Sequence, residues 1–275
     1  MYILLDIGGT KTRIASSLDL TSLGGEPIII DTPQDYQKGL SEIAEAAMSV
    51  SGGNLIKGIA AGVKTNLSKD KRIPLTAPQG KLLDWKQRPL ADDLEKLLHA
   101  PTALLENDTA LVGLGEAVYG AGKGIPIVVY VTVSTGVNGV RVVNGHFEAS
   151  HEGFEIGGQY LSMNPQKTLE ELVSGTAVTE RFGMVPKDLG KESPVWEELA
   201  RTFAFGLHNT ILHWSPDRVV LGGSMFNEIG ISVPRVTEHV RSIMRKFPDV
   251  PEIVHSSLGD FGGLWGGMAL LSQRS

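Results

Sequence analysis

The feature that most constrains the fold of this chain is a strand plan that occurs twice. The segment LLDIGGTKTRIA near the N-terminus and the segment VTVSTGVNGVRV at residues 131–142 share it: an apolar run, a turn rich in glycine and threonine, and a second strand-like run. Such self-similarity is typical of an internal repeat. We therefore predict two related domains, residues 1–107 and residues 108–260, in a chain whose 275 residues are enough for two ordinary cores.

Hydrophobic periodicity predicts that strands and helices alternate over most of the chain. In the first half we predict strands at 2–7, 12–17 and 26–31, a helix over YQKGLSEIAEAAMSV, a strand at IKGIAAGV, a helix over LADDLEKLLHA, a strand at TALLEND and a helix over TALVGLGEAVYGAG. In the second half we predict a strand at IPIVVYVTV, a turn STGVNG, a strand VRVV, a helix over PVWEELARTFAFGLHNTILHW, a strand at DRVVLGG, a broadly helical segment FNEIGISVPRVTEHVRSIMRKF, a strand at PEIVHS and a terminal helix FGGLWGGMALLSQ. This alternation favours the α/β class.

Composition excludes several classes of function. The formal net charge is -6 and the lysines and arginines are scattered, so we expect neither a nucleic-acid partner nor an anionic membrane. The absence of cysteine excludes disulfides and cysteine-based zinc sites. The first residues read as a strand and not as a signal peptide, and no apolar run approaches the ~18 residues of a membrane span, so we expect a cytoplasmic protein.

The first turn, DIGGTKT, has the composition of an anion-binding site. Gly8 and Gly9 allow a ligand close to the backbone, and Thr10 and Thr12 add hydroxyl groups. A carboxylate such as Asp6 is tolerable beside phosphate only with a cation, and hydrated Mg²⁺ is the natural one. A plain hairpin is the alternative reading. No P-loop motif occurs, and GAGKG follows a predicted helix and not the strand that a dinucleotide fingerprint requires.

The second turn, STGVNG, repeats this composition, and the segment LLEND lies between the two turns. Two such turns at equivalent places in a repeated fold would face each other across a cleft and hold a polyphosphate. Phosphoryl transfer to an alcohol needs a base near the hydroxyl, and Asp108 at a strand end is a candidate, with the Asn107 amide beside it to bind a polyol. The alternative is that Asp108 only caps the next helix.

A further group of polar residues occurs in HFEASHEGFEIGG. A metal site built from its histidines and glutamates is conceivable, but the spacing is not that of a known zinc helix, and a solvated loop is the favoured reading. The residues concerned are His146, Glu148, His151, Glu152 and Glu155.

Taken in order, these motifs resemble those of the ROK family, which is named for repressors, open reading frames and sugar kinases. The stretches that carry the resemblance are DIGGTKTRIA, LLENDTALVGLGEAVYGAG, VTVSTGVNGVRVVNG, FEIGG, LEELVSGTA, VVLGGSM and GDFGGLWGGMALL. The resemblance implies an actin-like ATPase or hexokinase-type fold, with two α/β domains about a hinge and a central cleft for ATP and sugar. It also implies that the last helix, residues 261–273, returns to the first domain.

The resemblance also implies roles for individual residues. Asp108 matches the family's catalytic base and Asn107 its sugar-binding neighbour, while Glu155 and Glu170 match two sugar-contacting glutamates. The positions that match the ATP-binding set are Asp6, Gly8, Gly9, Thr10 and Lys11 in the first phosphate loop, Thr135 and Gly136 in the second, and Gly222 and Gly223 on the adenosine side. Asp6 is the position expected to hold Mg²⁺ through water.

The chain departs from the family pattern on the sugar side. Gly158 stands where the family usually has a histidine that touches sugar and zinc, and the cysteine-rich zinc loop is absent. Lys64-Thr65 replaces the usual Pro-Gly, and Gln79 replaces an asparagine after Ala77-Pro78. We therefore expect Mg-ATP as cofactor, no zinc, and glucose as a poor substrate.

The resulting prediction is an ATP-dependent kinase that phosphorylates a sugar hydroxyl, with Asp108 as general base. A catalytically weak or inactive sugar- and nucleotide-binding relative is the alternative. A sugar-sensing regulator would carry a DNA-binding segment before the first loop, which begins here at residue 6, and is therefore disfavoured. The sequence leaves a homodimer open.

Overall fold

The computed structural model describes residues 1–77, 80–148, 150, 153–227 and 229–274. The chain divides into two compact units. Unit 1 consists of Met1–Tyr119 together with Leu258–Ser275, and unit 2 consists of Gly120–Ser257. Both units are α/β.

Unit 1 is built on a five-stranded sheet in the order β3-β2-β1-β4-β5. Its elements are β1 (Tyr2–Ile7), β2 (Lys11–Ser17), β3 (Ile28–Asp31), α1 (Tyr36–Ser51), β4 (Gly58–Val63), α2 (Leu90–Leu97), β5 (Ala103–Asn107), α3 (Asp108–Val118) and α8 (Gly262–Ser272). The first three strands pair antiparallel, while β1, β4 and β5 are parallel. The strands are buried because helices cover the sheet; β4, for example, is buried at every residue.

Unit 2 is built on a second five-stranded sheet, in the order β12-β11-β6-β7-β8. Its elements are β6 (Ile127–Val133), β7 (Val137–Val143), β8 (His146–Phe147), β9 (Tyr160–Met163), β10 (Gln166–Thr168), α4 (Leu169–Val173), α5 (Gly175–Phe182), α6 (Val195–Trp214), β11 (Arg218–Gly222), α7 (Val233–Ile243) and β12 (Glu252–His255). The core lies between this sheet and α6, which contributes Phe203, Leu207 and Ile211.

The two sheets have the same topology. Read from the other edge, the second sheet is β8-β7-β6-β11-β12, with the same antiparallel and parallel pairings as β3-β2-β1-β4-β5. The β1–β2 hairpin and the β6–β7 hairpin occupy equivalent places. The internal repeat predicted from the sequence is therefore confirmed at the level of topology.

Helices α3 and α8 pack together at very short range in unit 1. A Cβ on Gly266 would lie 1.7 Å from the Leu111 carbonyl oxygen, and a Cβ on Gly115 would lie 2.6 Å from the Gly262 oxygen. Unit 1 includes α3 and extends to Tyr119, while the boundary predicted from the sequence lies at residues 107 and 108. The C-terminal helix is part of unit 1, together with the first strands.

The structure differs from the predicted elements in several places, and helices α4 and α5 were not among those elements. The second turn is only Ser134–Gly136, because Val137 already pairs with Val133 in β7. The segment predicted as one broad helix from Phe226 is helical only over Val233–Ile243, where Ser232 caps the first turn. The hairpin of β9 and β10 was not predicted. Among the described residues no helix is long and apolar enough to cross a membrane.

Candidate active site

Three parallel strands of unit 1 end side by side at one edge of the sheet. Ile7 of β1 pairs with Val63 of β4, and Val63 pairs with Asn107 of β5. The next residue of each strand, Gly8, Lys64 and Asp108, therefore lies at this edge. The carboxyl ends of parallel strands are the usual location of ligand sites in α/β folds.

The β1–β2 turn leaves backbone N–H groups free. Gly8 N–H donates to the Lys11 carbonyl oxygen at 3.0 Å, and a Cβ on Gly8 would lie 2.8 Å from that oxygen. Within the described residues, the N–H groups of Gly9 and Thr10 donate no hydrogen bond. Successive free N–H groups in a tight turn bind anions. The Thr10 side chain is exposed.

The other polar side chains of this turn have partners. Thr12, which was expected to offer a hydroxyl, is buried and hydrogen-bonds to Thr32 Oγ1 at 2.8 Å. It therefore belongs to the core of the hairpin. The Lys11 ammonium lies 2.6 Å from Asp31 in an exposed ion pair. Such a pair is weak, so Lys11 can exchange it for another anion.

The Asp6 carboxylate is enclosed below this turn. Its side chain is 14% exposed and accepts a hydrogen bond from the Arg13 guanidinium at 3.3 Å. A Cβ on Gly263 of α8 would lie 3.1 Å from Asp6 Cγ, so the first turn of that helix covers the carboxylate. Burial, followed by the negative charge of Asp108, raises the pKa of Asp6 to about 7. The two carboxylates therefore interact.

Asp108 is the first residue of α3 and not its cap. Asn107 is the N-cap, since its Oδ1 accepts from Ala110 N at 3.2 Å. Asp108 Oδ1 accepts from the Thr109 N–H at 2.7 Å. Burial raises the pKa of Asp108, and the Thr109 N–H and the Lys64 charge oppose this rise. Because Asn107 is already the cap, a capping role does not explain the carboxylate at position 108.

The side chain of Asn107 is partly used within the protein. Its Nδ2 donates to the Thr65 carbonyl oxygen at 3.3 Å, so the amide connects the ends of β4 and β5. Thr65 is buried and its hydroxyl bonds to Thr76 in the following loop. One hydrogen of the amide thus remains for a ligand. Pro78 and Gln79, expected to line the sugar site, lie outside the described residues.

The β6–β7 turn of unit 2 is also held so that it leaves N–H groups free. The N–H of Gly175 at the start of α5 donates to the Ser134 carbonyl oxygen at 2.7 Å, and Thr176 Oγ1 donates to the Thr135 oxygen at 2.8 Å. Over the part of the chain that the structure describes, the N–H groups of Thr135 and Gly136 make no hydrogen bond. Both turns of the repeat therefore present successive N–H groups that have no hydrogen bond within the described residues.

Glu170 lies directly against this second turn. Its Oε2 accepts from Val137 N at 2.8 Å, and a Cβ on Gly136 would lie 2.6 Å from the same oxygen. Any side chain at position 136 would displace the carboxylate. Gly136 and Glu170, predicted for different ligands, are therefore brought together.

The segment that contains Glu155 packs on β7, the strand that follows the second turn. A Cβ on Gly157 would lie 2.2 Å from the Val137 oxygen, so the short helix Ile156–Gly158 is fixed against the start of β7. Glu155 and Gly158 are exposed, and a Cβ on Gly158 would meet no atom within 4 Å. The space where the family usually has a histidine is therefore open.

The glycine pair after β11 has a structural reason of its own. A Cβ on Gly222 would lie 2.5 Å from the Tyr130 hydroxyl, and Gly223 has φ +92° with the Val133 oxygen 2.4 Å from its Cβ position. Packing alone thus requires both glycines. A pocket of about 590 Å³ begins just beyond them, at Phe226 and Asn227. Its other lining residues include Trp196, Arg235 and His255.

No group of three or more histidine or acidic side chains in the described ranges is arranged to hold a metal ion. His151 and Glu152 of the loop considered for metal lie outside those ranges. Of the remaining members of that loop, Glu148 forms an ion pair with Arg141.

Comparison with known proteins identifies the family. The model of the ROK family matches residues 2–274, which is almost the entire chain. The chain belongs to the ROK family. The resemblance drawn from the motifs is therefore confirmed.

Individual ROK proteins are similar to this chain at low identity. A solved ROK hexokinase from Thermus thermophilus is 24% identical, with a TM-score of 0.85 and 99% of each chain covered. A ROK family glucokinase from Streptomyces griseus, solved with glucose and AMPPNP, is 22% identical with a TM-score of 0.81, and covers 100% of this chain and 99% of its own. These likenesses confirm the actin-like, hexokinase-type fold. A fructokinase from Pediococcus pentosaceus is 28% identical over 58% of this chain and 60% of its own length.

Two features of this ROK protein escaped sequence reasoning. Lys64 was noted as a departure from the family pattern. It directly follows β4, the strand that lies between β1 and β5. The glycines of α8 were considered only as part of the family resemblance, although Gly263 lies against Asp6. The glycine spacing in GGLWGG is the signal that indicates a close helix crossing.

Proposed function

We propose that this ROK protein transfers the γ-phosphoryl group of ATP to a sugar hydroxyl, with Asp108 as the general base. One observation carries the proposal. A half-buried carboxylate that is not the helix cap lies at the end of β5, at the same sheet edge as a turn with free N–H groups. The names of the relatives support a sugar as acceptor, and the AMPPNP complex of the Streptomyces griseus enzyme supports ATP as donor.

Both turns of the repeat would bind phosphate oxygens. In unit 1 the free N–H groups of Gly9 and Thr10 serve this purpose, with Gly8 allowing close approach and Lys11 adding a charge. In unit 2 the N–H groups of Thr135 and Gly136 do the same. The contribution of each turn is electrostatic, because phosphoryl transfer depends mainly on positioning and charge stabilisation.

The adenosine end of ATP would occupy the pocket beyond Gly222 and Gly223. Its volume of about 590 Å³ is in the range of small-molecule sites. The exposed Asn227 offers an amide for the base, while Trp196 and Phe226 contribute only the edges of largely buried rings to the wall.

Asp6 fits a role with Mg²⁺. Its oxygens are of the kind that Mg²⁺ prefers. Burial and, after it, the charge of Asp108 raise the pKa of Asp6, and a cation at this place would favour the ionised carboxylate. Because Mg²⁺ keeps much of its water shell, a single carboxylate that acts through water is sufficient. When bound with ATP, the ion neutralises phosphate charge.

The sugar would be held by Asn107, Glu155 and Glu170. Glutamate carboxylates accept hydrogen bonds from hydroxyl groups, while the remaining N–H of Asn107 donates one. In the reaction, the acceptor oxygen forms a bond to the γ-phosphorus while Asp108 takes its proton. The bond from the γ-phosphorus to the bridging oxygen breaks, and its electron pair leaves with ADP.

The test is Asp108→Ala with ATP and a panel of sugars. We expect kcat to fall by about 10² to 10⁴, the usual contribution of a positioned base, while ATP affinity changes little. Asp249→Asn, at an exposed carboxylate of unit 2, is the matched control and should keep full activity. A variant at position 108 that turns over the best sugar at the wild-type rate would refute the mechanism. Nucleotide binding without any product in the wild-type protein would refute the activity.

A further inference from the structure

Lys64 occupies the central place in the row of strand ends in unit 1. The order of strands is β1-β4-β5, so Lys64 after β4 has Gly8 of the first turn on one side and Asp108 on the other. Neighbouring strands lie about 4.8 Å apart, so the first turn and Asp108 are separated by roughly 10 Å with the lysine between them. The backbone is fixed there, since Lys64 N–H donates to the Ile7 carbonyl oxygen at 3.1 Å.

The side chain of Lys64 extends over the phosphate turn. A Cβ built on Gly9 would lie 3.7 Å from Lys64 Cδ and 2.9 Å from Lys81 Cβ, so the stems of both lysines lie beside that glycine. Lys64 is partly buried. Within the described residues, its ammonium forms no ion pair and no hydrogen bond. The Lys64 charge is nevertheless close enough to oppose the rise in the pKa of Asp108.

A partly buried lysine to which the described part of the chain offers no ion-pair or hydrogen-bond partner is unusual beside a carboxylate and such a turn. The nearby Lys71 shows the contrast, because it forms an ion pair with Glu106. An anion that arrives between the turn and Asp108 would supply the missing partner of Lys64.

We propose that Lys64 is a catalytic residue that donates hydrogen bonds to the γ-phosphoryl group as it moves from ATP to the acceptor. This inference rests on the proposed kinase function. As the acceptor oxygen attacks and Asp108 takes its proton, negative charge spreads over the non-bridging oxygens and onto the departing ADP oxygen. An ammonium between donor and acceptor stabilises that charge, and it is most effective in the transition state.

The absence of cysteine from the chain allows a direct test. Lys64→Cys creates a single thiol, which 2-bromoethylamine converts to an ammonium side chain and iodoacetamide converts to a neutral amide. Lys57→Cys, at the exposed position just before the other end of β4, receives the same treatments as the matched control. Turnover of a neutral sugar is measured for each protein, with separate kcat and KM values for ATP and sugar.

We expect Lys64→Cys to lower kcat by about 10² to 10³ with little change in either KM, the pattern for loss of a transition-state contact. Aminoethylation should restore most of the activity and carbamidomethylation should not. Both Lys57→Cys adducts should behave as the wild-type protein. Lys64→Met, which keeps the apolar stem, should match unmodified Lys64→Cys in kcat and still bind ADP.

Several outcomes would overturn the proposal. One is a wild-type kcat in Lys64→Cys, and another is equal rescue of activity by the two reagents. A third is loss of ADP binding or of the fold in both Lys64→Cys and Lys64→Met. A fourth is a defect that affects only the KM of sugars that carry an acidic group. The last outcome would indicate that Lys64 recognises the substrate and does not act in catalysis. If the wild-type protein phosphorylates no sugar, the proposed function itself fails. If the wild-type protein is active and the Lys64 variants are equally active, only the role of Lys64 is refuted.

Discussion

At the scale of single residues, the candidate site depends on two carboxylates that share poorly hydrated surroundings. Asp6 and Asp108 both have a raised pKa, chiefly because burial disfavours their charged forms. The positive charge of Arg13 opposes the rise in the pKa of Asp6, and that of Lys64 opposes the rise in the pKa of Asp108. A base with a raised pKa is a stronger proton acceptor and can still be ionised near neutral pH.

The raised pKa of Asp108 leads to a prediction about pH. The base acts only when ionised, so kcat/KM for a neutral sugar should rise with pH through a pKa above the ordinary aspartate value of 3.8. We expect this acidic limb to be absent from the residual activity of Asp108→Asn. The measurement is a pH profile with saturating Mg-ATP. If the acidic limb of the wild-type profile has an apparent pKa at or below the ordinary value, burial does not control the pKa of Asp108.

Gly158 leads to a prediction about the substrate. Hydrogen in place of an imidazole removes a hydrogen-bond partner beside Glu155, which weakens binding by about 0.5 to 1.5 kcal/mol, or up to about 3 for a buried unpaired group. We therefore expect kcat/KM for glucose to be about two to more than one hundred times below that for the best sugar. Gly158→His should raise it, because the site has open space for a side chain.

The control for this prediction is Gly158→Ala, which adds a side chain without a hydrogen-bonding group. It should leave the ranking of sugars unchanged. If glucose leads the wild-type ranking and the histidine has no effect, position 158 does not select the sugar.

At the scale of elements, the pairing of α3 with α8 supports the site. Asp108 begins α3, and Gly263 in the first turn of α8 lies against Asp6. The glycines of α8 allow the two backbones to approach closely, as small residues do at close helix crossings. Leu258 N–H, where the chain re-enters unit 1, donates to the buried Glu116 at 2.8 Å.

This packing predicts that a single methyl group added to α8 lowers stability strongly. Gly266→Ala would place Cβ 1.7 Å from the Leu111 oxygen, an overlap with backbone that only a shift of the helix can relieve. We expect the free energy of unfolding to fall by about 3 kcal/mol or more, as for severe overpacking. Urea unfolding followed by circular dichroism measures this. Gly158→Ala, where a Cβ has no neighbour within 4 Å, should change stability little. Equal stabilities of the two variants would contradict the helix contact.

At the scale of the whole molecule, the chain repeats one α/β plan in two units. Each unit has a hairpin whose turn leaves two N–H groups free, at Gly9 and Thr10 in unit 1 and at Thr135 and Gly136 in unit 2. One architecture thus supplies both of the turns that we propose to bind phosphate. The absence of cysteine is also a property of the whole chain, and it restricts the metals that the protein can use.

The composition predicts a particular response to metal removal. With no cysteine and with glycine at position 158, the ligands of a family-type zinc site are missing. We expect EDTA to abolish kinase activity and Mg²⁺ alone to restore it, while a zinc-selective chelator has no effect. Metal analysis of the purified protein provides the check. Stoichiometric zinc that is released only when the protein unfolds would contradict this prediction.

The sequence by itself determined the repeat, the class of fold and most elements. Alternating hydrophobic runs and glycine turns are local signals, so the strands around Gly8 and the helix α1 follow from short segments. Local signals failed between Phe226 and Phe247, a segment that was predicted to be broadly helical. The helix is confined to Val233–Ile243, because Ser232 caps it and Pro234 is tolerated only in the first turn.

The tertiary structure alone decided how the site is assembled in each unit. Asp108 and Lys64 are far apart in sequence, and only the register of β4 with β5 brings them to one edge. The same holds for Gly136 and Glu170, which meet because α4 packs against the start of β7. Register and helix packing depend on contacts between distant segments, and no pattern within one segment encodes them.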